Sequence, residues 1–431
     1  MTPSKSSRYG KLTPCDRISD LPGNIIDSIL MCLSTRDAAR TSILSKKWRY
    51  KWTTVPQLVL DDTIWGVSTE SGTLSRKKFV SSLYQILSLR QGTIFKFVLS
   101  TFELESCQSC PEIDNLIVLI SRSGVKEFIF KVWPDEYYKM PSSFFSCQEL
   151  RQLNLWSCLI SPPTSFKGFS LLISLKLRRV YISAKVLGSL ISSCPLLEKL
   201  KLQELYDELN CLEIIAPKLK SFIVESPIKS IFFKKTPALT IVALVVGPWQ
   251  ADGDFRKGGN RIVEHFGSLP TLENMRISNY FIKSLAAGGI PTRLSTAILH
   301  LKVLKLLSLF LSDDISFVLC LLRSSPNLQD IYILVHDDNV NQSPSSEFLG
   351  VQDHSDVTLN QLREVKLECI SGTELEMELI RLLLENSPVL EKMTIEPNRN
   401  LEDDYNEVEN EILKKLNTYR RASRNARIIY E

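Results

Sequence analysis

Leu150–Cys158, LRQLNLWSC, is the stretch on which the fold of this 431-residue chain turns. Leu150, Leu153 and Leu155 are spaced apolar-x-x-apolar-x-apolar, and a cysteine closes the unit three residues later. Residues two apart in an extended chain share one face, so Leu153 and Leu155 point together while Gln152, Asn154 and Trp156 point the other way. The same triplet returns downstream at Leu172/Leu175/Leu177, Leu197/Leu200/Leu202, Leu219/Phe222/Val224, Leu239/Val242/Leu244 and Leu272/Met275/Ile277. It continues at Leu301/Leu304/Leu306, Leu328/Ile331/Ile333, Leu362/Val365/Leu367 and Leu390/Met393/Ile395. Upstream lie Val125/Phe128/Phe130 and a weaker copy, Ile94/Phe97/Leu99.

The spacing between copies runs from 20 residues (Leu219 to Leu239) to 34 (Leu328 to Leu362). That interval overlaps the period of a leucine-rich repeat. Helical segments fill the gaps, among them Ala184–Cys194, Ile315–Ser324 and Glu374–Asn386. Several stop at Cys194-Pro195, Ser325-Pro326 or Ser387-Pro388, where proline disfavours helix in the residue before it and turns the chain towards the next strand. One strand with its return helix cannot bury its apolar face alone, so stacking of repeats is forced. The repeats resemble plant-type leucine-rich repeats in a degenerate form. Leu150–Cys158 fits the consensus in full and Leu390–Asn398 ends in the alternative asparagine, whereas Val180, Leu205 or Ile370 stand near that place in other copies. The resemblance implies an irregular horseshoe solenoid over 91–355. A generic α/β sheet with alternating helices and strands is the competing architecture.

At the N-terminus, Asp16–Trp52 reads DRISDLPGNIIDSILMCLSTRDAARTSILSKKWRYKW. Ser19-Asp20-Leu21-Pro22 suits a helix entrance, where the missing N–H of proline costs nothing. Ile25, Ile26, Ile29, Leu30 and Leu33 follow at helical spacing, and Ser34–Asp37 breaks that helix and caps a second one. Trp48 and Trp52, four apart, are expected on one helical face among Lys46, Lys47, Arg49 and Lys51. A segment this short exposes much of its surface, so apolar side chains point either to a docking module or to a helical cap on the next domain. The series Leu21-Pro22, Ile29-Leu30-x-x-Leu33, Ser45-Lys46-Lys47-Trp48-Arg49 and Trp52 resembles an F-box of the kind found in large plant families. The resemblance implies binding to the Skp-type adaptor of a cullin-RING ubiquitin ligase. Carried over by position, it makes Leu21, Pro22, Ile29, Leu30, Leu33, Leu44, Trp48 and Trp52 the adaptor contacts.

At the other end, Leu359–Pro397, an acidic helix and RRASRNARIIYE resemble the FBD region that closes many plant F-box proteins. The expected domains are a disordered tail at 1–14, an F-box at 15–60, a linker and opening helix at 61–90, repeats at 91–355 and an FBD region at 356–431. The fold class is therefore α/β: a small α-helical module, then the solenoid, then the FBD region. Trp249–Gly259 and Asp337–Asp356 read as loops between repeats.

Bulk properties narrow the function. A net charge of +4 is small for this length and argues no general affinity for nucleic acid or membrane. Ten cysteines lie mostly in apolar runs, where a free thiol behaves as a small hydrophobe. The longest apolar run, Ala238–Val246, falls short of the roughly 20 residues a membrane span needs. The opening MTPSKSSRYGKL lacks the apolar centre of a signal peptide, so cytoplasm or nucleus is expected. Cys107-Gln108-Ser109-Cys110 has zinc-pair spacing but no second pair to complete four ligands. His265, His300, His336 and His354 are scattered singly, and Gly253 with Gly258-Gly259 lacks the Lys-Ser/Thr of a phosphate loop. Asp313-Asp314 and Asp403-Asp404 read as helix-start carboxylates. No catalytic role and no cofactor are expected.

The outward strand residues supply the candidate target surface: Gln152, Asn154, Trp156, Ser174, Lys176, Arg178, Lys199, Lys201 and Gln203, then Arg276, Lys305, Asp330, Tyr332, Glu364, Lys366 and Glu368. Trp156, Lys176, Arg178, Lys199 and Lys201 are the expected contacts for an acidic or phosphorylated segment of an unidentified target protein. A solvated strand exterior is the plain alternative. For the whole chain, the alternatives to a ligase receptor are an interaction scaffold uncoupled from ubiquitination and a nucleic-acid binder using Lys46–Trp52.

Overall fold

The computed structural model describes residues 18, 20–61, 64, 76–101, 111–132, 137–207, 209–228, 230–246, 269–286, 290–336, 356–398 and 405–431. Cys107–Cys110, the 249–259 loop, His265, His354 and Asp403-Asp404 lie outside them, as does nearly all of the expected loop at 337–356. The chain forms two compact units, Met1–Glu136 and Tyr137–Glu431.

The first unit begins with α1 (Gly23–Met31), whose N-cap position is Pro22 itself. It continues with α2 (Thr35–Arg40), where the Ser34 side chain accepts the Asp37 N–H at 3.1 Å as the sequence implied. The expected helix carrying both tryptophans is absent: residues 46–50 are turns and Lys51–Thr54 a single 3₁₀ turn. Each turn brings an indole inward, so Trp48 and Trp52 join Ile26, Leu30, Ala38 and Val55 in one closed core. Leu21, Leu33, Ala39 and Ile86 pack on its edge.

That core is welded to a strand. β1 (Gln57–Leu60) pairs in parallel with β2 (Lys96–Thr101), and β2 with β3 (Glu127–Val132), so that Leu58, Phe97 and Phe128 share one register. α3 (Arg76–Leu89) and α4 (Pro111–Ser121) fill the two crossovers. The Gln57 amide donates to the Met31 carbonyl at 2.7 Å, and the Val59 N–H donates to Thr35 Oγ1 at 2.9 Å. Arg90 donates to the carbonyls of Gln57 at 2.9 Å and Val55 at 2.6 Å. The weak Ile94/Phe97/Leu99 copy is thus a genuine strand, preceded by one that the triplet search passes over.

The second unit carries the remaining copies as one parallel sheet. Its strands are β5 (Gln152–Trp156), β7 (Ser174–Arg178), β8 (Lys199–Gln203), β10 (Ser221–Glu225), β12 (Ile241–Leu244) and β13 (Asn274–Ser278). β14 (Val303–Leu309), β15 (Asp330–Val335), β16 (Glu364–Ile370), β17 (Lys392–Pro397) and β18 (Arg427–Tyr430) complete it, in chain order. Leu153, Leu175, Leu200, Phe222, Val242, Met275, Leu304, Ile331, Val365 and Met393 form one register-matched buried row. Each such side chain contributes about 1.5–3 kcal/mol by leaving water, which is why the triplet spacing governs the architecture.

The return segments vary. α5 (Ala184–Ser192), α6 (Asn279–Ala286), α7 (Leu311–Ser324), α8 (Glu374–Glu385) and α9 (Tyr405–Thr418) are helices, α8 held by a Thr373/Glu376 capping box. Elsewhere the return is extended: β4 (Tyr138–Lys139) pairs with β6 (Cys158–Leu159), and β9 (Leu212–Ile215) with β11 (Ile231–Lys234). Asp314 sits in the first turn of α7, buried, accepting the Phe310 N–H at 3.0 Å and bonded to the Asn279 amide.

Candidate protein-interaction surfaces

The N-terminal module divides the predicted adaptor contacts in two. Trp48 is 2% exposed, Trp52 7% and Leu30 fully buried, so these three hold the module together and are not on its surface in this conformation. Leu21 and Leu33 are half-buried at the rim of the same core. Pro22, Ile29 and Leu44 are exposed. Beside them lie apolar side chains that the family pattern does not single out: Ile25 and Met31 on α1, Ile43 at 88% exposure, and Tyr50 at 63%. Ser42 Oγ donates to the Arg49 carbonyl at 2.9 Å, tying the turn before Ile43 to the one before Tyr50. Ile25 and Ile29, one helical turn apart, share a face of α1. A module with a filled core that still exposes Ile25, Ile29, Met31, Ile43, Leu44 and Tyr50 has the composition of a docking surface.

Of the outward residues expected on β5, β7 and β8, all but one keep some exposure. Asn154, Trp156, Lys176, Arg178 and Lys201 are half-exposed and Lys199 exposed, but Gln203 is buried because its amide turns onto the Glu225 carboxylate. Cations gather on β7 and β8, and carboxylates (Asp330, Glu364, Glu368 and Glu396) on β15 to β17. Between them Ile223, Ile241 and Ala243 make a less polar strip.

Trp156 is fixed in place. Its indole N–H donates to Asn154 Oδ1 at 3.0 Å, the Arg178 guanidinium lies 4.6 Å from its ring centre and the Lys176 ammonium 5.8 Å. Such cation–π contacts are worth about 0.5–1 kcal/mol each at an exposed site. The cations are partly neutralised by carboxylates of the next repeat along the chain. Arg178 pairs with Glu204 at 2.7 Å, Arg179 with the same carboxylate at 2.6 Å, and Lys201 with Glu225 at 2.8 Å. Burial alone would push the Glu204 carboxyl up, but hydrogen bonds from Arg179 and Arg178 outweigh it and hold it below the ordinary range. Glu225 behaves likewise, its burial outweighed by the bonds from Lys201 and Gln203. Sequence reading missed Arg179 because strict alternation assigns it to the opposite face from Arg178.

His300 and His336 are exposed, and His336 lies with its ring 4.8 Å from Phe310. Among the described residues no group of three or more His, Cys, Asp or Glu is placed to hold a metal ion. No described helix is long and apolar enough to cross a membrane.

Comparison with known proteins matches three regions of the chain. Residues 18–59 match the F-box domain family. Residues 113–333 match the leucine-rich repeats of the FBD-associated F-box protein At5g56370, and residues 358–395 the FBD family. The F-box/FBD/LRR-repeat protein At1g13570 of Arabidopsis thaliana is 36% identical over 426 residues, covering 96% of this chain and 98% of that protein. The F-box/FBD/LRR-repeat protein At1g51370 of the same plant is 27% identical, covering 88% of this chain and 89% of its own.

Proposed function

This chain belongs to the F-box/FBD/LRR-repeat family, and from that premise we propose that it is the substrate-receptor subunit of a cullin-RING ubiquitin ligase. The N-terminal module holds a Skp-type adaptor, the outward face of the repeats holds the target protein, and partner subunits carry out the ligation. The chain itself then contributes no bond-making residue. Its contribution is proximity: tethering raises the effective concentration of target lysines at the charged ubiquitin carrier. Cytoplasm or nucleus is where such a ligase acts.

The observation that carries this reading is the exposure of Ile25, Ile29, Met31, Ile43, Leu44 and Tyr50 over a core already closed by Trp48 and Trp52. Burying large apolar side chains of this kind is what anchors a stable protein–protein interface. The test is co-expression with a Skp-type adaptor, followed by co-purification of the wild-type chain and the Ile29→Glu/Leu44→Glu double variant. Both positions are exposed, so the variant keeps its fold. The wild-type chain retains the adaptor and the variant loses it. A folded wild-type chain that captures no adaptor would sink the receptor reading in favour of an uncoupled scaffold.

A further inference from the structure

Arg178 and Arg179 are consecutive, and in a regular strand their side chains would leave opposite faces of the sheet. Arg179 adopts φ 51°, and this left-handed residue lets both guanidiniums reach the single Glu204 carboxylate, one at each oxygen. Ser157 (φ 52°) and Glu204 (φ 47°) follow β5 and β8 in the same way, so the bend belongs to the repeat. Filling it with Arg and Glu carries a backbone cost that glycine avoids. The outcome is a concentration of charge. Lys176 and Arg178 lie over Trp156, Arg179 shares the Glu204 carboxylate with Arg178, and Lys199 and Lys201 follow on the neighbouring strand β8, Lys201 against Glu225. Lys199 has no carboxylate partner among the described residues.

The internal pairs show which group these cations accept: each carboxylate is held at 2.6–2.8 Å. The spacing shows how further carboxylates would be presented. Lys199 and Lys201 alternate along β8, as Lys176 and Arg178 do along β7, and alternate residues of a strand repeat every ~6.6–6.8 Å. An extended peptide carrying acidic residues at every second position has the same repeat. Resting on the receptor reading above, we propose that the target is recognised through an extended acidic segment laid along β7 and β8. Its alternating carboxylates engage Lys199 and Lys201 on β8 and Lys176 and Arg178 on β7, and its backbone lies beside Trp156.

The test uses the full chain and fluorescein-labelled twelve-residue peptides. One alternates Glu with Ser; the others place the same Glu residues in a block, replace Glu by Gln, or replace Glu by phosphoserine. Fluorescence anisotropy is expected to rank the alternating Glu peptide first, about tenfold above the Gln peptide, with affinity falling as salt is raised. Lys199→Glu and Arg178→Gln each weaken it by about tenfold, whereas Lys392→Glu on β17 leaves it unchanged. Equal binding of the blocked or Gln peptides, preference for phosphoserine, or indifference to Lys199→Glu overturns the proposal. Adaptor capture is scored on the same variants. In the wild-type chain, no adaptor capture with peptide binding intact removes the receptor reading and spares this surface, and adaptor capture without peptide binding removes this surface alone.

Discussion

Gly168 offers a test of the packing in the second unit that needs no partner protein. It has φ +98°, and a Cβ placed there would stand 2.1 Å from the Ser193 carbonyl oxygen, 2.3 Å from Ser193 Cβ and 2.8 Å from its carbonyl carbon. Two of these are backbone atoms, and Ser193 closes α5, its N–H bonded to the Ser189 carbonyl at 3.0 Å. The neighbour therefore cannot swing away. In Gly168→Ala the left-handed backbone costs about 1–2 kcal/mol and the forced shift about 1–3 kcal/mol. At ~2–4 °C per kcal/mol for a domain of this size, melting falls by roughly 5–15 °C. Two further glycines separate the contributions. Gly124 has φ +68° with nothing within 4 Å, so Gly124→Ala carries only the backbone cost, about 1–2 kcal/mol. Gly188 lies inside α5 with 3.6 Å to the Glu213 carbonyl, an ordinary contact, so Gly188→Ala stabilises by about 0.5–1 kcal/mol. Differential scanning fluorimetry of the three variants gives the ranking. Equal losses at Gly168 and Gly124 would falsify the steric account.

Other expectations follow from burial and charge. Trp48→Ala destabilises by about 3–5 kcal/mol, measured by urea unfolding, whereas Trp48→Phe costs less than about 1.5 kcal/mol because the indole N–H has no acceptor among the described residues. Glu204 has a folded pKa below its unfolded value, so its stabilisation is complete above the ordinary carboxylate pKa of 4.5 and is lost as pH falls through the depressed folded value. Glu204→Gln accordingly lowers the melting temperature at neutral pH, where that stabilisation is fully present, and flattens the acid limb below pH 4.5 so that the two profiles converge at low pH. Iodoacetamide modifies exposed Cys32 and Cys211 in the native chain, read by mass spectrometry, and spares Cys147 and Cys194, whose burial pushes their thiols up to about 12 and about 11.

Much of the fold is legible because one requirement repeats. A strand buried on one face needs apolar residues two apart, and Leu153/Leu155 through Met393/Ile395 show them on each long strand from β5 to β17. β1 carries the same spacing at Val55, Leu58 and Leu60, ahead of the first triplet read from the sequence, whereas β18 keeps the alternation at Ile428 and Tyr430 but has Asn425 where the leading apolar residue would stand. The helix expected at Trp48 and Trp52 fails for a different reason. A four-residue spacing fits a helix, but it also fits two successive turns that direct both indoles into one core. For the candidate site, the outward residues of β7 and β8 are readable from alternation, while Arg179 is not. Its placement depends on a positive φ at a residue type that gives no such signal.

The bonds from Gln57, Val59 and Arg90 bear on how members of such a family exchange parts. β1 lies within the region matching the F-box, yet its hydrogen-bonding partner β2 lies beyond it. A chimera joined just after Leu60 would carry β1 away from β2 and leave Arg90 without the carbonyls of Val55 and Gln57. A swap that keeps β1 with its partner strand and Arg90 with its two carbonyls therefore carries the stretch through β2, to Thr101 at the least.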